Sequence, residues 1–189
     1  MDNYTEDEIF NNINFKPDGL PNGEYEYCKF INCDFSDTSF SYSKFSECEF
    51  INCNLSMVSL SGVSFRNVIF KDCKMIGLKF DECNEFGIEF SFENCILDYS
   101  SFYHLEIPET VFKNSQLHEV DFTECNLRAS VFDNCDLNMV RFIDAMIEYA
   151  DFTTSYNYSI DLDLNKVKKA KFSLSGLSGL LDKYNIDIK

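Results

Sequence analysis

Apolar residues recur at every fifth position along most of this chain: Phe30, Phe35, Phe40, Phe45, Phe50, Leu55, Leu60, Phe65, Phe70, Met75 and Phe80, resuming at Phe92 and running to Phe152. Helices repeat at about 3.6 residues and strands at about 2, so neither produces this beat. Self-similarity at a fixed period is the mark of a repeat architecture.

The two residues before each apolar centre are as regular. Small side chains, among them Cys28, Cys33, Ser43, Cys48, Cys53, Val58, Cys73, Cys95, Ser100, Cys125, Ser130, Cys135 and Ala150, stand two places earlier. In extended backbone, residues two apart face the same way, so each centre and its small partner point inward and the residue between them faces water. The next two positions must turn a corner.

The number of sides is also written in the chain. Phe30-Ile31-Asn32-Cys33 returns as Phe50-Ile51-Asn52-Cys53, then more loosely as Phe70-Lys71-Asp72-Cys73, Phe92-Glu93-Asn94-Cys95, Phe112-Lys113-Asn114-Ser115 and Phe132-Asp133-Asn134-Cys135. These copies lie mostly twenty residues apart, so four five-residue sides make one coil. From Phe92 the centres alternate Phe with Leu or Ile, which predicts stacked Phe columns on two opposite walls and aliphatic columns on the others. About eight coils at the roughly 4.8 Å strand spacing give a rod about 40 Å long.

One interruption stands out, because the step from Phe70 to Phe92 is longer by two residues. The excess is assigned to a bulge at 84–89, with Glu85, Phe86 and Gly87 as a contact element if the bulge has a function. Phe86 is expected to fill the inner slot that the bulge vacates. A harmless interruption of a continuous core is the alternative reading.

These residues resemble the pentapeptide repeat family, over roughly residues 10 to 172. The resemblance implies an all-β fold, a right-handed quadrilateral β-helix, occupying residues 1–172 behind an N-terminal cap. Residues 173–189 form a C-terminal helix and strand in this reading: Leu174, Leu177, Leu181 and Tyr184 share one helical face, Ser173 is the N-cap and Asn185 the terminator. Ile186 and Ile188 then alternate as in a short strand.

Composition limits what such a rod can do. All nine cysteines occupy the small inward position, which reads as core packing instead of disulfide or metal chemistry. His104 and His118 stand on outward positions with no metal-ligand spacing around them, and no phosphate-binding glycine loop is present. The chain is therefore read as non-enzymatic, without cofactor or metal. No apolar stretch reaches membrane-spanning length and Met1 to Glu8 is polar and acidic, so the expected location is the cytoplasm.

Charge carries the functional reading. Residues 1–165 hold 30 acidic and 10 basic side chains, a net of −20, whereas residues 166–189 are net +4. An acidic rod repels nucleic acid and attracts proteins with basic grooves. The coil register places Glu82, His104, Glu124 and Asp144 in one vertical column with Glu119 and Asp121 beside it. This is a candidate partner-binding face, or else only a solvated one. The outward Asn32, Asn52, Asn94, Asn114 and Asn134 form a second column, read as a structural amide ladder.

The ending Leu180 to Ile188 is similar to the C-terminal dimerisation segment of the Qnr and MfpA branch of the family, and Phe10 to Phe35 is similar to the start of Qnr proteins. That resemblance implies a homodimer joined through Leu174, Leu177, Leu180, Leu181, Tyr184, Ile186 and Ile188. It further implies a DNA-mimicking rod that binds DNA gyrase or topoisomerase IV and modulates quinolone susceptibility. The chain departs from the branch in carrying only the two-residue bulge where many Qnr proteins have long loops. A scaffold for an unrelated protein partner is the rival reading.

Overall fold

The computed structural model describes residues 3–188. Met1, Asp2 and Lys189 lie outside the described residues, as do those parts of the terminal assignments that fall on them. The chain winds into a right-handed four-sided parallel β-solenoid of about eight turns. Its first side is a nine-stranded parallel sheet that runs from Ile9–Asn11 to Lys171–Phe172. The register follows the repeat: Phe30 pairs with Phe50, Phe50 with Phe70, and Phe112 with Phe132. Single parallel bridges hold the second side, from Asn14 through Asp34, Asn54 and Gln116 to Tyr156. The third side is held likewise through Ser101, Asp121 and Arg141. The fourth begins as a four-stranded sheet, Asn3–Glu6, Gly23–Glu26, Lys44–Ser46 and Ser64–Arg66, and resumes lower down as bridges from Glu106 to Lys166.

The core is the stack of repeat centres. Phe92, Phe112, Phe132 and Phe152 lie face to face, with ring centroids 5.1, 4.9 and 4.7 Å apart and planes within 10°. Phe102, Phe122 and Phe142 stack on the opposite wall. Rings of the two walls meet edge to face, Phe102 against Phe112 at 6.0 Å and 87°. This arrangement suits the ring quadrupole and fills a bore of constant width. Leu97, Leu117, Leu137 and Leu127, Ile147 close the remaining walls.

All nine cysteines are buried free thiols. Most donate to a backbone carbonyl of the coil above, as Cys53 does to Phe30 O (3.2 Å) and Cys73 to Phe50 O (3.3 Å). Burial pushes the Cys48 and Cys135 thiols up to about 12, so they are held as neutral core groups.

Corners are turned in left-handed backbone, at φ 54° for Asn32, 52° for Asn52 and 55° for Asn94. Asn tolerates that conformation better than most residues. Its amide then finds a second use: Asn52 Nδ2 donates to Asn32 Oδ1 (2.7 Å), Asn94 Nδ2 to Asp72 Oδ1 (2.8 Å) and Asn134 Nδ2 to Asn114 Oδ1 (2.9 Å). The expected amide ladder is present only as separate pairs: among the described residues no side-chain bond joins Asn52 to Asp72 or Asn94 to Asn114.

Two local expectations are corrected. Phe86 does not enter the core but is 77% exposed, and Phe90 takes the vacated inner slot at 4% exposure. Phe90 stands two residues before Phe92, where the repeat normally places a small side chain, and its ring packs on Phe80 (5.3 Å) and Phe92 (5.1 Å). The second correction concerns the tail. It forms two 3-10 turns, Leu177–Leu180 and Asp182–Tyr184, in place of one amphipathic helix, and Ile186 to Ile188 is not in a strand. Gly176 and Gly179 weaken a helix and let the backbone lie directly on Tyr158. Ser173 Oγ does accept from Gly176 N (3.1 Å), and Asn185 does end the turn in left-handed backbone at φ 48°. Beyond it no neighbouring edge among the described residues pairs with Ile186 to Ile188, and alternation alone does not make a strand.

Candidate protein-interaction surface

The sequence singles out three exposed regions: the acidic column, the bulge and the tail. The column exists in the predicted order. His104, Glu124 and Asp144 occupy successive corners of the third side, at φ 60°, 58° and 53°, and Glu82 lies one coil above them at the end of a 3-10 turn. Their exposed side chains project from a convex edge where no wall screens them from water.

Basic side chains are interleaved with these carboxylates. Lys79 Nζ lies 3.3 Å from Glu82, His104 Nδ1 3.2 Å from Glu124 and Arg141 3.5 Å from Asp121. Tyr103 also donates to Glu124 (3.3 Å), whose carboxylate holds the phenol above its usual range. Glu119 stands on the adjacent corner between Tyr99 and Met139. Among the described residues Glu119 and Asp144 make no ion pair. The acidic face is therefore a mixed strip with two unpaired carboxylates at its lower end, and surface pairs of this kind contribute only about 0–1 kcal/mol each.

A cluster that sequence spacing does not reveal lies on the second side. His118 sits between Asp98 and Asp136, one coil above and one below, with Nδ1 3.8 Å and Nε2 3.0 Å from their carboxylates. Asp98 also accepts from Gln116 Nε2 (2.6 Å) and His118 N (3.0 Å). Partial burial alone would raise the Asp136 carboxyl, but the nearby His118 ring and the bond from Asn157 Nδ2 (2.8 Å) outweigh it and hold the group below its usual range. The two partners lie twenty and eighteen residues from His118, so only the twenty-residue register could have exposed them. Among the described residues no three His, Cys, Asp or Glu side chains form a set that could hold a metal ion.

At the bulge, Glu85, Phe86 and Gly87 all project outward, and Arg66 lies over the Phe86 ring at 5.7 Å. Phe86 is thus an exposed aromatic with one face against the Arg66 guanidinium, and it joins other exposed apolar side chains such as Tyr42, Met57 and Tyr99 on the rod surface.

The tail divides the predicted dimer residues. Leu180 is buried in the protein's own end, next to the bond from Ile160 N to Gly179 O (2.9 Å). Leu174, Leu177, Leu181, Tyr184, Ile186 and Ile188 are exposed. Lys183 fixes the tail to the rod by pairing with Asp161 (2.6 Å) and Asp163, and this double pairing raises the ammonium above its usual range. The result is a rim of exposed apolar side chains at one end of the rod. Among the described residues no helix is long and apolar enough to cross a membrane.

A four-sided solenoid with an inward apolar residue at every fifth position defines a class of repeat protein. The family model for a pentapeptide repeat region matches residues 24–91 and 88–172, and the chain belongs to that family. Among solved structures it is similar to a trypsin-treated variant of QnrB1, described as a plasmid-mediated fluoroquinolone resistance protein. The TM-score is 0.77 at 18% identity, covering 99% of this chain and 92% of that one. A second trypsin-treated variant of QnrB1 matches with TM-score 0.64 at 16% identity, over 99% of this chain and 100% of that one. Full-length QnrB1 matches with TM-score 0.54 at 16% identity, over 97% of this chain and 100% of that one. At such identities the likeness is one of fold. No curated protein matches the sequence.

Proposed function

We propose that this protein is a non-catalytic binding module whose acidic rod occupies the DNA-binding surface of a type II topoisomerase, DNA gyrase or topoisomerase IV, in the cytoplasm. In this reading two copies join through the exposed tail residues, and the paired rods present an elongated anionic surface in place of duplex DNA. The observation that carries it is the combination of an acidic chain, net −16, with a solenoid similar over 99% of its length to a fluoroquinolone resistance protein. Modulation of quinolone susceptibility follows if the rod and DNA compete for one surface. Supercoiling by purified gyrase, with and without a quinolone, tests the proposal; an unaltered reaction at micromolar protein defeats it.

One observation favours a second reading. Lys79, His104 and Arg141 break the acidic column, so the rod does not present an unbroken series of negative charges along that edge. A scaffold that grips an unrelated protein through the bulge and the mixed-charge strip is consistent with this pattern.

A further inference from the structure

The fourth side contains an interruption of the backbone ladder next to the bulge. Its four-stranded sheet stops at Ser64–Arg66, and side-by-side bridging resumes only between Glu106 and Asn126. The chain at 84–89 stays bonded to the coil above, Asn84 N to Val63 O (2.8 Å) and Glu89 N to Phe65 O (3.0 Å), but makes no backbone bond to Glu106 or Pro108 in the coil below. Lower coils show what is lost: Asn126 N donates to Leu105 O (2.8 Å), Met146 N to Cys125 O (2.9 Å) and Lys166 N to Ala145 O (2.9 Å). In the same coils Ile107 N donates to Asn126 O and Glu109 N to Arg128 O. At the interruption the equivalent groups, Glu106 N–H and the carbonyls of Glu106 and Pro108, have no hydrogen-bond partner among the described residues. The N–H of Asn67, across the gap, has none either.

Unpaired edge groups of this kind are a template for an added strand. The edge borders a groove whose wall mixes Ile88, Pro108 and Val111 with Asn67, Glu89 and Glu109, so an added strand would find both apolar and acidic contacts. Its rim carries Glu85, Glu89 and Glu109, none of which has an ion pair among the described residues. Of the cations around it, Arg66 is turned onto Phe86, and Arg128 stands one coil below Glu109, whose N–H donates to the Arg128 carbonyl (2.8 Å).

We infer that this notch is a strand-addition site for an extended, cationic segment of a protein partner, which pairs with the Glu106–Pro108 edge, buries apolar side chains in the groove and sets its cations against Glu85, Glu89 and Glu109. The inference rests on the protein being a protein-binding module but not on the partner being a topoisomerase. Failure in a gyrase assay leaves the notch unaffected, and failure of the notch leaves the acidic rod unaffected.

The probe is a short capped peptide of alternating lysine and valine, followed by amide hydrogen exchange of the full chain. In the free protein the Glu106 amide exchanges with little protection while Asn126 and Met146 are protected; equal protection of all three means the edge is closed and overturns the inference. On adding peptide, Glu106 exchange slows by about tenfold or more and Asn126 is unchanged. N-methylating either all lysine or all valine amides separates the peptide's two edges, so one series loses binding and the other keeps it. Equal binding by both, or no change at Glu106, overturns the strand-addition geometry. Glu89→Lys with Glu109→Lys weakens the cationic peptide by about tenfold at low salt without changing protection at Asn126. Undiminished binding contradicts the assigned rim.

Discussion

Gly176 and Tyr158 touch so closely that a methyl group on the glycine would come within 1.8 Å of the tyrosine hydroxyl. Three residues on, a methyl group on Gly179 would lie 1.9 Å from the Tyr158 carbonyl oxygen. The tail therefore docks by backbone approach onto one residue of the last coil, and that residue is itself buried. Gly179→Ala is expected to undock the tail more completely than Gly176→Ala, because it meets backbone where Gly176→Ala meets the end of a side chain. Limited proteolysis reads the effect: cleavage within 173–188 accelerates while the rod stays intact. Equal resistance of both variants and the parent protein would contradict the docking.

Phe112 lies mid-column, with Phe92 and Phe132 stacked on its two faces at 5.1 and 4.9 Å. Phe112→Ala is expected to cost about 3–5 kcal/mol, through lost burial and a cavity that rigid neighbouring coils cannot close. Denaturant melts check this, and a loss below about 1 kcal/mol is incompatible with the stacked core.

Asp151 accepts from Thr153 side chain and backbone and pairs with Lys171 at 3.0 Å, and these contacts hold its carboxyl below the usual range. A depressed folded pKa contributes stability that is full above the unfolded value of about 3.9 and is lost as pH falls through the folded value. The stability difference between the parent protein and Asp151→Asn should thus be present at neutral pH and shrink below about pH 4. Thermal melts across that range test the sign, and a difference that grows on acidification would reverse it.

The exposed tail leucines set the expected assembly. Leu177→Asp or Leu181→Asp places a charge on the apolar rim and is expected to convert dimers to monomers in light scattering. A mass unchanged by either substitution removes the tail from the interface.

Much of this architecture is legible in the sequence, because inward and outward positions follow directly from a five-residue period. Phe30, Cys33 and Asn52 each fall where the register puts them: wall, small slot and corner. The residues that depart from expectation lie where the period breaks. Counting forward from Phe80 and back from Phe92 gives different centres at the bulge, and neither is Phe86. The usable signal is Phe90, an aromatic in a slot filled mostly by small residues and at most by Leu78 and Leu105 in the neighbouring coils, which implies an empty neighbour. Asp98, His118 and Asp136 are not legible from local spacing, because their closeness arises from coil stacking and not from nearness in sequence. The tail misleads for another reason: its leucine spacing suits a helix, whereas Gly176 and Gly179 answer to the bulk of Tyr158.

Displacement of a labelled DNA duplex from purified gyrase tests the central claim most directly. If the acidic rod takes the place of DNA, micromolar protein releases the duplex and binds the enzyme itself, with both effects weakening as salt rises. Gyrase that retains its duplex and shows no association with the rod at low salt would contradict the account.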